Sequence, residues 1–123
     1  MIFLRLTGCI FAAAAVLTVA NVDSRAAGAF AVGNCGAYGF SYDYKEAEAA
    51  KRAAVAQCDG ACKAVPVTRA CAALAIDAGK SCGAYGYATA RKLGAAQNTA
   101  LKECYSHGGK DCMIRAWICD AKG

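Results

Sequence analysis

The sequence predicts an α+β fold: a tandem β-β-α-β repeat forming a mostly antiparallel sheet, with two helices packed on one face and disulfides stapling the whole. Three observations predict it. The pentapeptide Cys-Gly-Ala-Tyr-Gly occurs twice, at residues 35–39 and 82–86. Each copy lies between a short apolar run and an alanine-rich segment of helical period. Nine cysteines in 123 residues is the density of a small domain held by crosslinks.

In the first unit, Ala29, Phe30, Ala31 and Val32 read as an apolar strand, and Gly33 and Asn34 supply a turn. Tyr38, Phe40, Tyr42 and Tyr44 then alternate with Gly39, Ser41 and Asp43, a period of two that means a second hairpin strand. Residues 45–58 are rich in alanine, the best helix former, with Ala47, Ala50, Ala54, Val55 and Cys58 as the apolar stripe. Asp43 is expected to cap this helix, with Glu46 closing a capping box. A turn at Asp59, Gly60 and Ala61 leads through Cys62 to a strand at Val65, Pro66 and Val67. Pro66 cannot donate to a ladder, so that strand belongs at an edge or a bulge.

The second unit repeats the order. Ala73, Leu74, Ala75 and Ile76 form the apolar strand, residues 77–80 the turn, and Tyr85 and Tyr87 one face of the hairpin partner. Thr89 is the expected cap of a helix whose stripe is Leu93, Ala96, Ala100, Leu101 and Cys104. Gly94 weakens that helix by about 1 kcal/mol relative to alanine. A glycine-rich turn follows, then Cys112 and a closing strand through Cys119. The half-repeats run over 27–70 and 71–123. Tyrosines are expected to pack beneath the helices, Trp117 to join the core, and the opposite sheet face to stay bare.

The first 26 residues have the layout of a secretory signal peptide: a short basic start, an apolar run over 10–20, then small residues. Cleavage is expected after Ala26, with Ala20 as the competing site. Cys9 precedes the apolar run, which argues against its lipidation. The apolar run is shorter than the about 20 residues a membrane span needs, so no stable span is expected after cleavage. Residues 27–123 then form one domain, secreted or periplasmic. The net charge of +5 is spread along the chain. That suits loose attraction to an anionic envelope component and lacks the dense basic patch of a nucleic-acid binder, so no nucleic acid is expected.

Loss of Cys9 leaves eight cysteines, and an even number in an exported chain argues for disulfides over metal. Cys58 and Cys62 flank a tight turn, as do Cys104 and Cys112, so each pair closes locally. The remaining four admit Cys35 with Cys82 and Cys71 with Cys119, or Cys35 with Cys71 and Cys82 with Cys119. The first set is favoured because Cys35 and Cys82 are equivalent positions that meet across a pseudo-twofold. Zinc is disfavoured: Cys58 and Cys62 have no second close pair, and His107 is the single histidine.

Several segments carry a family resemblance. They are residues 36–44 (GAYGFSYDY), the helix start 45–50 (KEAEAA) ending at Cys58, residues 62–65 (CKAV), residues 69–75 (RACAALA), and the closing strand from Cys112 to Cys119 with Ala116 and Trp117. Together they resemble the DUF4189 family of small exported bacterial domains. The resemblance implies export and a disulfide-bearing domain, and it implies no chemistry. Cys35 and Cys82 stand as additions to that family's usual six cysteines.

No phosphate loop, dinucleotide fingerprint or serine elbow appears, and no cofactor is expected. A cysteine nucleophile needs a free thiol, which complete pairing removes. Glu46, Glu48 and Glu103 sit near Lys51, Arg52 and Lys102 and read as a salt-bridged surface. The expected function is therefore non-enzymatic: a binding or accessory domain, inhibitor-like, engaging a protein or envelope component. Its candidate contacts are Tyr38, Phe40, Tyr42 and Tyr44 with Arg69 and Arg115, joined by Lys63 on the bare face. The alternative is a small secreted hydrolase or effector using a carboxylate such as Glu103, or His107.

Overall fold

The computed structural model describes residues 27–120. The expected leader, its expected cleavage sites and Cys9 lie outside the described residues. The elements are β1 (Ala27–Val32), β2 (Tyr38–Tyr44), α1 (Ala47–Ala56), β3 (Lys63–Val67), β4 (Cys71–Asp77), β5 (Tyr85–Ala90), α2 (Leu93–Ser106) and β6 (Cys112–Cys119). Each half is thus β-β-α-β, and the fold is α+β with antiparallel pairing throughout.

The strands form two three-stranded sheets, in the orders β2-β1-β3 and β5-β4-β6. This corrects the expectation of one sheet with both helices on one face. The alternation along β1 and β4 explains the difference. Ala27, Ala29 and Ala31 face α1, where they meet Ala50, Ala54 and Cys58. Cys71, Ala73 and Ala75 face α2, where they meet Ala96, Ala100 and Cys104. The intervening residues are bulkier: Phe30, Val32, Leu74 and Ile76 join Val67, Ala72 and Ile118 in one central cluster.

Each sheet therefore has a small-residue face and a large-residue face. In one continuous sheet the large faces would lie open to water. Stacking the two sheets buries both at once, and the helices end up on opposite outer sides. Phe30, Leu74, Val67 and Ile118 are essentially sealed from solvent. Each such side chain contributes about 1.5–3 kcal/mol relative to exposure. The bare face expected opposite the helices is this central layer.

The second glycine of each pentapeptide seats a helix. A methyl group on Gly39 would overlap the Ala54 carbonyl oxygen, and one on Gly86 the Ala100 carbonyl oxygen. No residue but glycine allows the helix backbone so near the strand. Beside this contact the buried Ser41 hydroxyl donates to the Ala50 carbonyl at 2.6 Å. The tyrosine before each glycine consequently points away from its helix, not beneath it as the sequence suggested.

The helix starts also differ from expectation. The residue preceding α1 is Glu46 and that preceding α2 is Lys92, and neither side chain caps. Asp43 and Thr89 remain in the strands β2 and β5. Asp43 sits at φ 60°, in the left-handed region, where the strand turns toward the helix. β3, with Pro66, pairs only with β1 and so is an edge strand. No helix among the described residues is long and apolar enough to cross a membrane.

Candidate functional site

The two pentapeptides put equivalent aromatic residues in unlike surroundings. In the first copy, Tyr38 stacks on Phe30 with ring centroids 6.4 Å apart, and Phe40 and Tyr42 continue the row at 6.4 and 5.5 Å. Tyr38 and Phe40 pack against the central cluster. Arg115 closes the row from the other sheet: its guanidinium lies 5.5 Å from the Tyr38 ring centre, and its Nε donates to the Gly36 carbonyl at 3.4 Å.

Arg115 occupies that position because of a bulge. Along β3, pairing with β1 runs without interruption from Lys63 to Val67. Along β6, Ile114 pairs with Ala75 and Ala116 with Leu74, so Arg115 is one residue more than the ladder needs. A bulge re-aims the extra side chain. The β1–β3 ladder of the first half has no such bulge.

Tyr85 and Tyr87, the equivalents of Tyr38 and Phe40, are exposed, at 38% and 36%. They line two clefts. One, of about 660 Å³, lies between β5 and the end of α2 and adds Glu103 and His107. The other, of about 360 Å³, lies between β5 and the loops of the first half and adds Asn34 and Lys63. In the larger cleft His107 Nδ1 is 3.0 Å from the Tyr85 carbonyl oxygen. That oxygen can only accept, so Nδ1 carries the proton, and Nε2 faces Glu103 Oε2 at 4.0 Å. Aromatic faces, a carboxylate, an imidazole and an amide thus line adjoining hollows, a set whose chemistry suits a ligand with both apolar and polar parts.

The other sequence candidates are dispersed. Tyr42 and Tyr44 project at the far end of β2 with 43% and 40% exposure. Partial burial raises the Tyr42 hydroxyl pKa above the ordinary tyrosine value, and the negative charge of Asp120 adds to the rise. Arg69 sits at φ 52° in the turn joining the halves and is exposed. Trp117, expected in the core, is 52% exposed on the edge strand β6. Glu48 pairs with Lys51 at 3.2 Å on the surface of α1. Sequence reasoning placed Tyr85 and Tyr87 on one face but did not single them out. No local signal marks them, because the walls of their clefts come from segments far apart in sequence.

Four disulfides hold this arrangement. Cys58–Cys62 and Cys104–Cys112 clip each helix to the strand that follows it, at equivalent places in the two halves. Cys71–Cys119 joins directly opposed residues of β4 and β6. Cys35–Cys82 ties one half to the other, the two Cα atoms 3.9 Å apart. Among the described residues no cluster of three or more His, Cys, Asp or Glu is placed to hold a metal ion.

No curated protein and no solved structure matches the chain. The family model described as "Domain of unknown function (DUF4189)" matches residues 27–119, which spans every strand, both helices and all four bridges. A match of that extent places the chain in the DUF4189 family.

Proposed function

We propose that the chain is an exported, non-enzymatic binding domain, and that a protein or envelope component seats on Tyr85 and Tyr87 of β5. One observation carries this reading: two exposed tyrosines form the shared wall of two clefts. Tyrosines of this kind bring large, rigid contact area and dominate binding hot spots. Export is supported by the four bridges, which persist in oxidising compartments.

The test is a matched pair of proteins. Wild type immobilised against envelope extract is expected to retain a saturable partner. The Tyr85→Ala/Tyr87→Ala variant is expected to weaken that binding at least about tenfold, as loss of two hot-spot residues should, with its melting temperature unchanged. Equal retention by both proteins would remove β5 as the docking surface.

A second reading has its own observation: Glu103 and His107 line the same cleft. A carboxylate and an imidazole so placed suit general acid–base work in a small hydrolase. Loss of a hydrolytic activity in Glu103→Ala and His107→Ala, with folding intact, would favour it over the binding reading.

A further inference from the structure

The four disulfides differ in how they meet solvent. Cys58, Cys71, Cys104 and Cys112 are buried, so three bridges each hold at least one sealed cysteine. Cys35 and Cys82 are both exposed. We propose that Cys35–Cys82 is a modification site, a bridge that exchanges selectively with an anionic low-molecular-mass thiol of the glutathione type while the other three stay closed.

Three features support the assignment. Exchange requires a thiolate to reach a sulfur, and exposed bridges are the labile ones. Cys35 also sits at φ 59°, a left-handed conformation that L residues adopt at a cost, and opening the bridge lets it relax. Finally, a basic residue lies close to the neighbour of each cysteine. Arg115 donates to the carbonyl of Gly36, next to Cys35, and the stem of Lys80 lies against Gly83, next to Cys82. Positive charge draws an anionic thiol and stabilises the thiolate that leaves.

The chemistry balances within the named partners. A thiolate RS⁻ attacks one sulfur, forms a mixed disulfide and breaks the protein S–S bond. The released cysteine thiolate takes a proton. A second thiol attacks the mixed disulfide, leaving two protein thiols and one RSSR, with two electrons passed from the thiols to the protein. The halves remain joined by the chain and by the central core, so opening acts locally, at the junction beside Asn34 and Tyr85.

Titration of the oxidised protein with reduced glutathione, followed by acid quench, alkylation and peptide mass mapping, tests the site. Cys35 and Cys82 are expected to become alkylated at about tenfold lower thiol concentration than any other pair, with the circular dichroism unchanged. Simultaneous opening of all four bridges, or opening of Cys58–Cys62 first, overturns the site. Lys80→Glu separates the thiol class: it is expected to slow exchange with glutathione several-fold more than exchange with neutral 2-mercaptoethanol. Equal slowing of the two overturns the preference for an anionic thiol.

Discussion

Tyr38 and Tyr85 occupy the same place in the same five residues, yet Tyr38 lies in a stack under Arg115 and Tyr85 stands 38% exposed. The pentapeptide determines what the two copies share: a glycine under a helix and a tyrosine pointing the other way. What the tyrosine then meets depends on the opposite half, and there the halves are unequal by one residue, Arg115. The β-β-α-β order common to the two halves accounts for the scaffold, and the exposed tyrosines lie where equivalent positions stop being equivalent.

The largest expected difference between the halves lies in their crosslinks. Cys71–Cys119 has no counterpart in the first half, where Ala27 and Thr68 stand at the matching places. Its two cysteines lie 48 positions apart in the sequence. Loop-entropy reasoning assigns such a bridge about 4 kcal/mol, against about 2 for a bridge as short as Cys58–Cys62. Cys71→Ala/Cys119→Ala should therefore lower the denaturation midpoint about twice as far as Cys58→Ala/Cys62→Ala, read by chemical unfolding monitored by circular dichroism. Equal losses would mean that the extra bridge contributes no more than a local clip, against the loop-length expectation.

Next come the glycines, where the halves should behave alike. Gly39→Ala and Gly86→Ala each push a methyl group into helix backbone that cannot turn aside as a side chain would. Overpacking of this kind costs about 3 kcal/mol. Both variants should melt well below wild type and by similar amounts. Gly94→Ala is the control: a methyl group there meets nothing, and it should stabilise α2 by about 1 kcal/mol. A large gap between the two pentapeptide variants would break the equivalence of the helix seats.

The pattern of these glycines shows what was legible in the sequence. Periodicity marks every strand and both helices, because small residues alternate with large ones along β1 and β4. The same alternation holds the reason for two sheets: Phe30 and Leu74 need cover on the side away from the helices. A reading confined to one half misses this, since the cover comes from the other half. The caps failed for a related reason. Asp43 and Thr89 carry favourable cap chemistry, but strand pairing extends through them and the helices begin later. Trp117 was misplaced because its counterpart, Pro66, also sits on an exposed edge, a point the alignment of the halves contained. The clefts at Tyr85 were the least legible, because their walls come from segments far apart in sequence: β5 with the end of α2 in one, β5 with the loops of the first half in the other.

Arg115→Ala tests what the cation contributes to the first copy and should be milder than the core changes. It removes a cation over a ring and one charge-assisted hydrogen bond, together about 1–2 kcal/mol. The informative signal is optical: near-ultraviolet circular dichroism should lose intensity as Tyr38 gains freedom resembling that of Tyr85. Unchanged tyrosine bands would show that the Phe30–Tyr38 stack holds without the cation, and that burial of the first copy comes from the sheet packing alone.

The smallest effect separates the halves by pH. Tyr42 belongs to the first copy, and the second copy has Thr89 at its place, so only the first half carries this group. Partial burial, with the Asp120 charge adding to it, raises the Tyr42 pKa in the folded protein. A raised value means that the folded state holds the proton more tightly than the unfolded chain does. The resulting stabilisation is fully present below about pH 10, where the unfolded tyrosine is still protonated. It is lost as pH rises through the folded value. Tyrosinate absorbance should accordingly show one late-titrating component that vanishes in Tyr42→Phe, and the alkaline fall in melting temperature should be shallower in that variant. An identical alkaline profile in Tyr42→Phe would place the late component elsewhere, and with it the claim that the outward row of β2 differs electrostatically from that of β5.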